Sequence, residues 1–381
     1  MIGGNIYREQ RLASVRRTMV DRDVDAILLS LGADLPWLTG YEAMPLERLT
    51  MAVVTVVGEA MLVVPELEAP RVGDLPPGFS LRPWGETEDP IMIVASSLRE
   101  VSATRLAISD RCWARFVLAL QEELVGMQWT PSSRITGPIR ACKDEQEIET
   151  LSLAAGAADR VASQLIEGEI PLIGRTESEV SADISRRLID EGHERVNFAI
   201  VASGPNAASP HHEASTRLIQ AGDPVVCDFG GSLVSPADKR LGMSGGYCSD
   251  ITRTVCAGEP DGRFREVYEV VRLAQSEALA AAKLGVACEE VDLAARNVIS
   301  EAGYGEYFIH RTGHGIGMEE HEDPYLVAGN ASPLVEGNAF SIEPGIYIPG
   351  EFGVRIEDIV ISTRSGPVAL NCADHALSRV R

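Results

Sequence analysis

Acidic and histidine side chains with the potential for chemistry are concentrated between Pro210 and Asp358. Of the seven histidines in the chain, this stretch holds His211, His212, His310, His314 and His321. It also holds four carboxylates in apolar or glycine-rich surroundings, namely Asp228 in V-V-C-D-F-G, Asp250 in C-S-D-I-T, Glu343 in S-I-E-P-G and Glu357 in V-R-I-E-D. Carboxylates on apolar strands are costly unless they are paired or bound to a metal.

These four carboxylates and His314, in G-H-G-I-G, predict a site for two metal ions. Four carboxylates that converge without cations repel one another, and most of them would have to bind protons. Two divalent cations offset the four negative charges, and oxygen ligands with one imidazole suit Mn²⁺, Co²⁺, Fe²⁺ or Zn²⁺. Metals about 3.5–4 Å apart can activate a water molecule and polarise a carbonyl together.

The remaining histidines fall into two groups. His211 and His212, in S-P-H-H-E, and His321, in H-E-D-P, lie outside a tight ligand set by spacing. They are candidates for proton transfer or for binding a tetrahedral intermediate, and the alternative for each is a surface-loop histidine. We expect His193, His310 and His375 to be structural.

Composition excludes several classes of function. The net charge of −22 argues against a nucleic-acid partner, because no basic face can offset it. No apolar run reaches about 18 residues, so we expect no transmembrane helix. The start, M-I-G-G-N-I-Y-R-E-Q-R, lacks the core of a signal peptide, and the seven cysteines include no C-x-x-C pair. We therefore expect a cytoplasmic protein with reduced thiols.

The first third of the chain predicts an α/β domain. Its elements are a helix at 8–22, a strand at 24–31, a turn in L-P-W-L-T-G-Y, a hairpin from 51–57 and 60–64, a helix at 91–98, a strand at 106–109 and a helix at 114–125. The polar stretch T-P-S-S-R-I-T-G-P at 130–138 predicts a linker. The predicted domains therefore span residues 1–138 and 139–381.

The second domain is predicted to be α+β with an antiparallel sheet. Capping boxes that begin at Asp144 and Thr176 start two helices. The other predicted elements are helices at 263–284 and 288–302 and strands at 198–203, 224–229, 247–255, 339–342, 345–348 and 354–362. Strands and helices that come in blocks are typical of this class.

Several motifs give the chain a strong resemblance to the pita-bread metallopeptidases, a family that includes Xaa-Pro aminopeptidase, Xaa-Pro dipeptidase (prolidase), methionine aminopeptidase and the metal-free creatinase. W-L-T-G at 37–40 and R-A-C-K-D-E-Q-E-I-E at 140–149 resemble the N-terminal domain of the prolyl members and the entry to the catalytic domain. D-F-G, S-D-I-T-R-T, G-H-G-I-G, H-E-D-P, E-P-G and R-I-E-D follow in family order. The resemblance covers nearly the whole chain. It implies a creatinase-like α/β domain followed by a pita-bread catalytic domain with an antiparallel sheet and flanking helices.

The resemblance also implies roles for individual residues. Asp228 would bind one metal, Asp250 and Glu357 would bridge, and His314 and Glu343 would complete the second site, with Mn²⁺ or Co²⁺ favoured over Zn²⁺ or Fe²⁺. His211 and His321 would contact substrate or intermediate, with His212 as the register alternative to His211. Glu343 would also handle a proton, and Arg355 would orient the bridging carboxylates. A homodimer is expected from the family.

Two departures from the family pattern bear on the substrate. Asp228 and Asp250 are 22 positions apart in the sequence, which is about twice the usual separation in the family. The extra residues, about 235–244, predict a polar hairpin insertion. Family dipeptidases carry an arginine between H-E-x-P and E-P-G that holds the product-side carboxylate, yet residues 312–354 contain no Arg or Lys. Lys239 and Arg240 in the insertion are the other nearby basic candidates.

The predicted function is therefore hydrolysis of the Xaa-Pro bond at peptide N-termini by an Xaa-Pro aminopeptidase, acting on peptides with proline in second position. The first alternative is an Xaa-Pro dipeptidase. A metal-free amidinohydrolase, a lyase or small-amide hydrolase and a non-catalytic binding module rank below these two.

Overall fold

The computed structural model describes residues 3–240 and 242–381. Within these ranges the helices are α1 Gly3–Asp21, α2 Asp34–Thr39, α3 Pro90–Glu100, α4 Ala114–Glu123, α5 Ser133–Ala141, α6 Glu145–Ile166, α7 Glu177–Asp190, α8 Pro236–Arg240, α9 Gly262–Ala281 and α10 Cys288–Glu301. Residues 1 and 2, and Leu241 of the predicted insertion, lie outside the described residues.

The strands are β1 Ala26–Leu29, β2 Met51–Thr55, β3 Ala60–Pro65, β4 Phe79–Trp84, β5 Arg105–Ile108, β6 Gln128–Pro131, β7 Arg195–Ser203, β8 Pro224–Leu233, β9 Tyr247–Cys248, β10 Ile251–Ala257, β11 Gly313–Gly315, β12 Glu322–Leu326, β13 Ala339–Ile342, β14 Gly345–Ile348, β15 Phe352–Arg355, β16 Asp358–Thr363, β17 Gly366–Ala369 and β18 Arg379–Val380. Contacts divide the chain into unit 1, Met1–Arg140 with Val234–Gly245, and unit 2, Ala141–Leu233 with Gly246–Arg381. The predicted domain boundary after residue 138 stays a prediction.

Unit 1 is built on a six-stranded mixed sheet with the strand order β4-β3-β2-β1-β5-β6. The predicted hairpin is present as the antiparallel pair β2–β3, and β1 pairs in parallel with β5. Strand β1 is buried along its whole length. It lies between β2 and β5 in the sheet, and its side chains share a hydrophobic core with those of α3 and α4. The predicted α/β character of this part of the chain is confirmed.

Two elements of unit 1 differ from the prediction. Residues 130–138 are not a linker, because they end β6 and form most of helix α5. The buried carboxylate of Asp34 explains this, since it accepts hydrogen bonds from Ser132, Thr136 and Arg140 at 2.9, 3.0 and 2.9 Å. The stretch predicted as a turn around Trp37 is the short helix α2, which ends at Gly40 in the left-handed conformation (φ 80°).

The insertion is a helix rather than a hairpin. Pro236–Arg240 forms α8, and the segment groups with unit 1. Its Asp238 accepts a hydrogen bond from Arg8 at 3.4 Å, and the hydroxyl of Ser244 accepts one from the backbone N–H of Glu42 at 2.8 Å. These tertiary bonds, which spacing along the chain does not reveal, explain why the polar segment is ordered as a helical turn.

Unit 2 contains two larger, mostly antiparallel sheets and one ribbon. The first has the order β18-β10-β8-β7 with β9 on β8, the second has the order β12-β11-β13-β16-β17, and β14 pairs with β15. Helices α6 and α7 pack in one hydrophobic core with β8 and β10, and α9 and α10 pack in a second core with β13 and β16. The predicted α+β class with helices against an antiparallel sheet is confirmed.

The starts of α6 and α7 follow the predicted capping boxes. Asp144 accepts from the backbone N–H of Glu147 at 2.9 Å, and the Glu147 carboxylate accepts from the backbone N–H of Asp144 at 2.9 Å. Thr176 and Glu179 form the same reciprocal pair. Each box satisfies backbone donors that a helix start leaves without partners. Among the described residues, no helix is long and apolar enough to cross a membrane.

Candidate metal centre

Two of the predicted ligands are brought together by the pairing of β8 with β10. Asp228 in β8 lies directly opposite Thr252 in β10. Asp250 precedes Thr252 by two positions, and residues two apart in an extended chain face the same side of a sheet. Asp228 and Asp250 are therefore neighbours despite the residues inserted between them, and both are buried.

Thr252 also anchors Glu357 beside this pair. The backbone N–H of Glu357 donates to the carbonyl of Thr252 at 3.1 Å, and the Thr252 hydroxyl donates to Glu357 Oε2 at 2.6 Å. His314, in β11, places its Nε2 3.7 Å from Asp250 Oδ2 and 3.3 Å from Glu343 Oε1. The donor atoms of Asp250, His314 and Glu357 all lie within 4.8 Å of one another, so they could hold a metal ion.

The imidazole of His314 is oriented for ligation. Its Nδ1 lies 3.1 Å from the carbonyl oxygen of Gly315, and a carbonyl only accepts, so this nitrogen carries the proton. The lone pair of Nε2 then faces Asp250 and Glu343. Burial and the nearby His321 lower the pKa of His314 to about 3, which keeps the ring neutral, as a metal ligand must be.

The charge balance of the cluster fits divalent cations. Burial, together with the charges of the other carboxylates, raises the pKa of Asp250 and of Glu357 well above the ordinary values, and burial raises that of Glu343 to about 7. Among the described residues, Asp228 Oδ1 and Glu357 Oε1 are buried without a hydrogen-bond partner. Buried oxygens without partners are costly, and hard cations with oxygen ligands would satisfy both.

Arg355 holds the cluster from one side. Its guanidinium donates to Asp228 Oδ2, to the Thr252 hydroxyl at 3.0 Å and to the Tyr347 hydroxyl at 2.7 Å. Arg355 therefore contacts Asp228 directly and reaches Glu357 through Thr252. Within the described residues no hydrogen bond joins Arg355 to Asp250, and the predicted role of Arg355 in orienting the bridging carboxylates stays a prediction.

A cleft of about 540 Å³ opens onto this cluster and is lined by residues of unit 2. The predicted residues His211 and His321 lie on its wall, and the rings of His314 and His321 have centroids 4.1 Å apart. Arg311, which was not predicted as a site residue, also lines the cleft. His310 was predicted to be structural, and it too lines the cleft while its Nε2 lies 2.9 Å from the Tyr347 hydroxyl.

The second histidine of the S-P-H-H-E motif has a different position. His212 lies with its Nε2 2.9 Å from Glu177 Oε2, whereas His211 lines the cleft. The fully buried Glu177 also accepts from the backbone N–H of Ser203 at 2.8 Å and from the Ser215 hydroxyl at 2.6 Å. Burial alone would raise its pKa, but the hydrogen bonds from Ser215, Ser203 and His212 lower it to about 2. This carboxylate organises the loop that carries His211.

Glu177 was not predicted from the sequence. Its position in the first turn of α7 is where acidic residues commonly occur on helix surfaces. Glu177 differs from such surface residues because it is completely buried, and burial depends on tertiary structure.

Comparison with known proteins identifies relatives over the whole chain. Residues 149–364 match the sequence profile of metallopeptidase family M24, and residues 11–142 match the creatinase/prolidase N-terminal domain. The chain is 41% identical to the probable dipeptidase PepE of Mycobacterium tuberculosis over 97% of its length and 95% of that protein's. It is 35% identical to an Xaa-Pro dipeptidase of Lactobacillus helveticus, covering 93% and 95%. The crystal structure of dipeptidase PepE from Mycobacterium ulcerans superposes with a TM-score of 0.87 at 38% identity, covering 99% of each chain.

Proposed function

The chain belongs to metallopeptidase family M24, and from that premise we propose that it is an Xaa-Pro dipeptidase that uses two divalent metal ions. Asp228, Asp250, His314, Glu343 and Glu357 are the proposed ligands. Asp228 would serve one ion, His314 and Glu343 the other, and Asp250 and Glu357 would lie between them.

One observation carries this proposal. Residues from separate parts of the chain converge on a buried cluster in which two carboxylate oxygens lack partners among the described residues. A purely structural cluster of four carboxylates would be destabilising, because each charge raises the cost of the others. Divalent cations remove that cost, and Mn²⁺ or Co²⁺ suits a set of oxygens with one imidazole.

The bound ions would supply an activated water molecule and polarise the scissile carbonyl. The residues of the chain have separate tasks around that reaction. Glu343, whose Oε1 accepts a hydrogen bond from Ser341 at 3.2 Å, would take up a proton and return it to the leaving nitrogen. His211 and His321 line the cleft and can donate to the oxygen on which charge develops. A proline nitrogen carries no N–H, so a site for this bond cannot hold the substrate through a hydrogen bond from that nitrogen.

The choice between dipeptidase and aminopeptidase depends on what holds the free carboxylate of a dipeptide. The aminopeptidase was favoured by the sequence because residues 312–354 lack a basic side chain. Two observations favour the dipeptidase. The PepE relatives and the Lactobacillus protein bear dipeptidase names, and Arg311, one residue before that segment, lines the cleft. Lys239 and Arg240 group with unit 1, whereas the cleft is lined by unit 2.

The experiment is a hydrolysis assay on the metal-free protein and on protein reloaded with Mn²⁺ or Co²⁺, using an Xaa-Pro dipeptide and the same dipeptide with alanine in place of proline. We expect cleavage of the Xaa-Pro bond only after reloading. Glu343→Gln should reduce kcat by at least about 10²-fold, which is the scale for loss of one key electrostatic or proton-transfer group. Equal cleavage by the metal-free protein, or the absence of Xaa-Pro cleavage by the reloaded protein, would contradict the proposal.

A further inference from the structure

Helix α10 carries an ion pair that the proposed reaction does not use. Asp292 is 1% exposed, and in the described part of the chain neither it nor Arg296 lines the cleft. Arg296 donates from Nε to Asp292 Oδ2 at 2.6 Å and from Nη2 to Asp292 Oδ1 at 3.1 Å. Residues four apart lie on one face of a helix, and two parallel bonds hold a guanidinium in one orientation. The remaining hydrogen-bonding capacity of the pair is therefore directed to one place.

Arg296 is directed to the segment that precedes the G-H-G-I-G motif. Its Nη1 donates to the carbonyl of Phe308 at 3.1 Å, and its Nη2 donates to the carbonyl of His310. Its Cζ also lies 4.3 Å from the centroid of the Phe308 ring, where the negative face of the ring stabilises the cation. Residues 308–310 are thus held to α10 at two carbonyls and one ring.

Asp292 holds the next part of the same segment. Its Oδ1 accepts from the backbone N–H of Thr312 at 3.0 Å and from the Thr312 hydroxyl at 2.8 Å. Thr312 is fully buried. Hydrogen bonds to a carboxylate are roughly twice as strong as those between neutral groups, so Thr312 has little freedom to move relative to α10.

Two of the proposed metal ligands depend on the position of Thr312. Its carbonyl accepts from the backbone N–H of Glu343 at 2.8 Å, and His314 follows it by two residues. The two ligands are also joined to each other, because the Ser341 hydroxyl accepts from the backbone N–H of His314 at 3.1 Å and donates to Glu343 Oε1 at 3.2 Å. Metal–ligand distances are defined to within about 0.2 Å, so a displacement of Thr312 reaches both ligands.

We propose that Asp292 and Arg296 act through Thr312 to position the second metal site. That site is the one assigned to His314 and Glu343, so the inference rests on the proposed two-metal function. The pair touches neither the metal ions nor the substrate, and its task is to fix the distance between the two ligands before an ion binds.

The first metal site provides an internal reference. Asp228, its proposed ligand, lies in β8 and is held by the guanidinium of Arg355 in β15. Neither residue belongs to α10 or to the segment that α10 holds. Loss of the pair should therefore weaken the binding of one ion and spare the other, whereas a general loss of stability should weaken both.

The test is a titration of the metal-free protein with Mn²⁺ by calorimetry and with Co²⁺ by visible absorption. Arg296→Lys keeps the charge but loses the fork that reaches two carbonyls, and Asp292→Asn keeps the shape but loses the charge. Each should weaken one of the two equivalents by about 10- to 100-fold, the range for residues that orient metal ligands, and leave the other close to wild type. His314→Ala, which removes a ligand, identifies the equivalent that belongs to the second site.

Two sets of variants control the comparison. Arg272→Met, in the neighbouring helix α9, removes an exposed arginine that is paired with Glu269 at 2.8 Å, and it should change neither equivalent. Thr312→Val removes one hydrogen bond without leaving a buried charge unpaired, and it should weaken the same equivalent as the pair variants. Thr312→Ser restores the hydroxyl and should restore the affinity. The Thr312 variants decide the question if either pair variant does not fold.

The outcomes separate this inference from the proposed function. Pair variants that bind two ions with wild-type affinity, or that weaken both equivalents alike, overturn the positioning role and leave the two-metal site standing. Wild-type affinity in Thr312→Val also overturns the role, because the link through that residue then carries nothing. Wild-type protein that takes up fewer than two ions, or that cleaves no Xaa-Pro dipeptide when loaded, overturns the proposed function, and the inference with it.

Discussion

Glu357 and Asp358 are adjacent in the chain, but substitution of Asp358 should affect the stability of the fold, whereas substitution of Glu357 should affect metal binding and rate. Asp358 accepts from Arg253 at 2.8 Å and from Gln275 at 3.0 Å, and it lies 2.8 Å from His375 Nε2. Burial raises its pKa, but the His375 hydrogen bond and the Arg253 charge outweigh that effect and lower it overall. Glu357 faces the metal cluster instead, with Oε1 buried and without a partner among the described residues.

Asp358→Asn should therefore destabilise the fold without removing metal. Removal of one partner from a buried ion pair costs about 3–5 kcal/mol, and because Asn can still accept one hydrogen bond we expect about 2–3 kcal/mol. At about 2–4 °C per kcal/mol for a domain of this size, the melting temperature should fall by about 5–10 °C. Metal content and the rate per folded molecule should stay close to wild type.

Glu357→Gln should show the reverse pattern. The metal-free protein should melt at the wild-type temperature or above it, because an uncharged isostere removes a repelling carboxylate from the cluster. The reloaded variant should lose most of its metal and at least about 10²-fold in rate. Metal analysis, thermal melts and rate measurements on the two variants side by side make the comparison. Equal metal loss from both variants would refute the assignment of these residues to different environments.

Three further predictions follow from the same structure. Chelation should lower the melting temperature, and addition of Mn²⁺ or Co²⁺ should restore it, because ligands that bind only the folded state stabilise it; an unchanged melt after complete metal removal would count against the cluster. Glu177→Gln should destabilise the fold by about 1.5–3 kcal/mol, the scale for losing hydrogen bonds to a charged group, and should reduce kcat/KM without loss of metal; Glu213→Gln, exposed in the same loop, is its control. Because the folded-state pKa of Glu177 is lowered to about 2, the ionised carboxylate stabilises the fold fully above about pH 4.5, and this stabilisation is lost as the pH falls toward 2. The difference in unfolding free energy between wild type and Glu177→Gln should therefore shrink over that range. A constant difference in denaturant titrations would contradict the assignment.

The parts of the fold that sequence predicts are those governed by local rules. The capping boxes at Asp144 and Thr176 place the starts of α6 and α7, because the bonds they make lie within four residues. The pairing of the strands around Asp228 and Asp250 follows from apolar patterning on both sides. The resemblance of the motifs to a known family then supplies the proposed ligand set.

The parts that sequence missed depend on distant contacts. Helix α5 is fixed by Asp34, about a hundred positions earlier in the chain, so its polar composition suggested a linker. Glu177 stands out only because it is buried, and Arg311 only because the fold brings it over Tyr325 beside the cleft. Arg311 lies one position before the segment 312–354, and its place on the cleft wall depends on the fold.

The central claim, a dipeptidase that needs two metal ions, is tested most directly by titration of the metal-free protein with Mn²⁺ or Co²⁺ while hydrolysis of an Xaa-Pro dipeptide and bound metal are followed together. We predict that the rate rises to a plateau at two equivalents of bound metal per chain and that Asp250→Asn abolishes the plateau. Full activity without bound metal, or a plateau at one equivalent with no second site, would contradict the account.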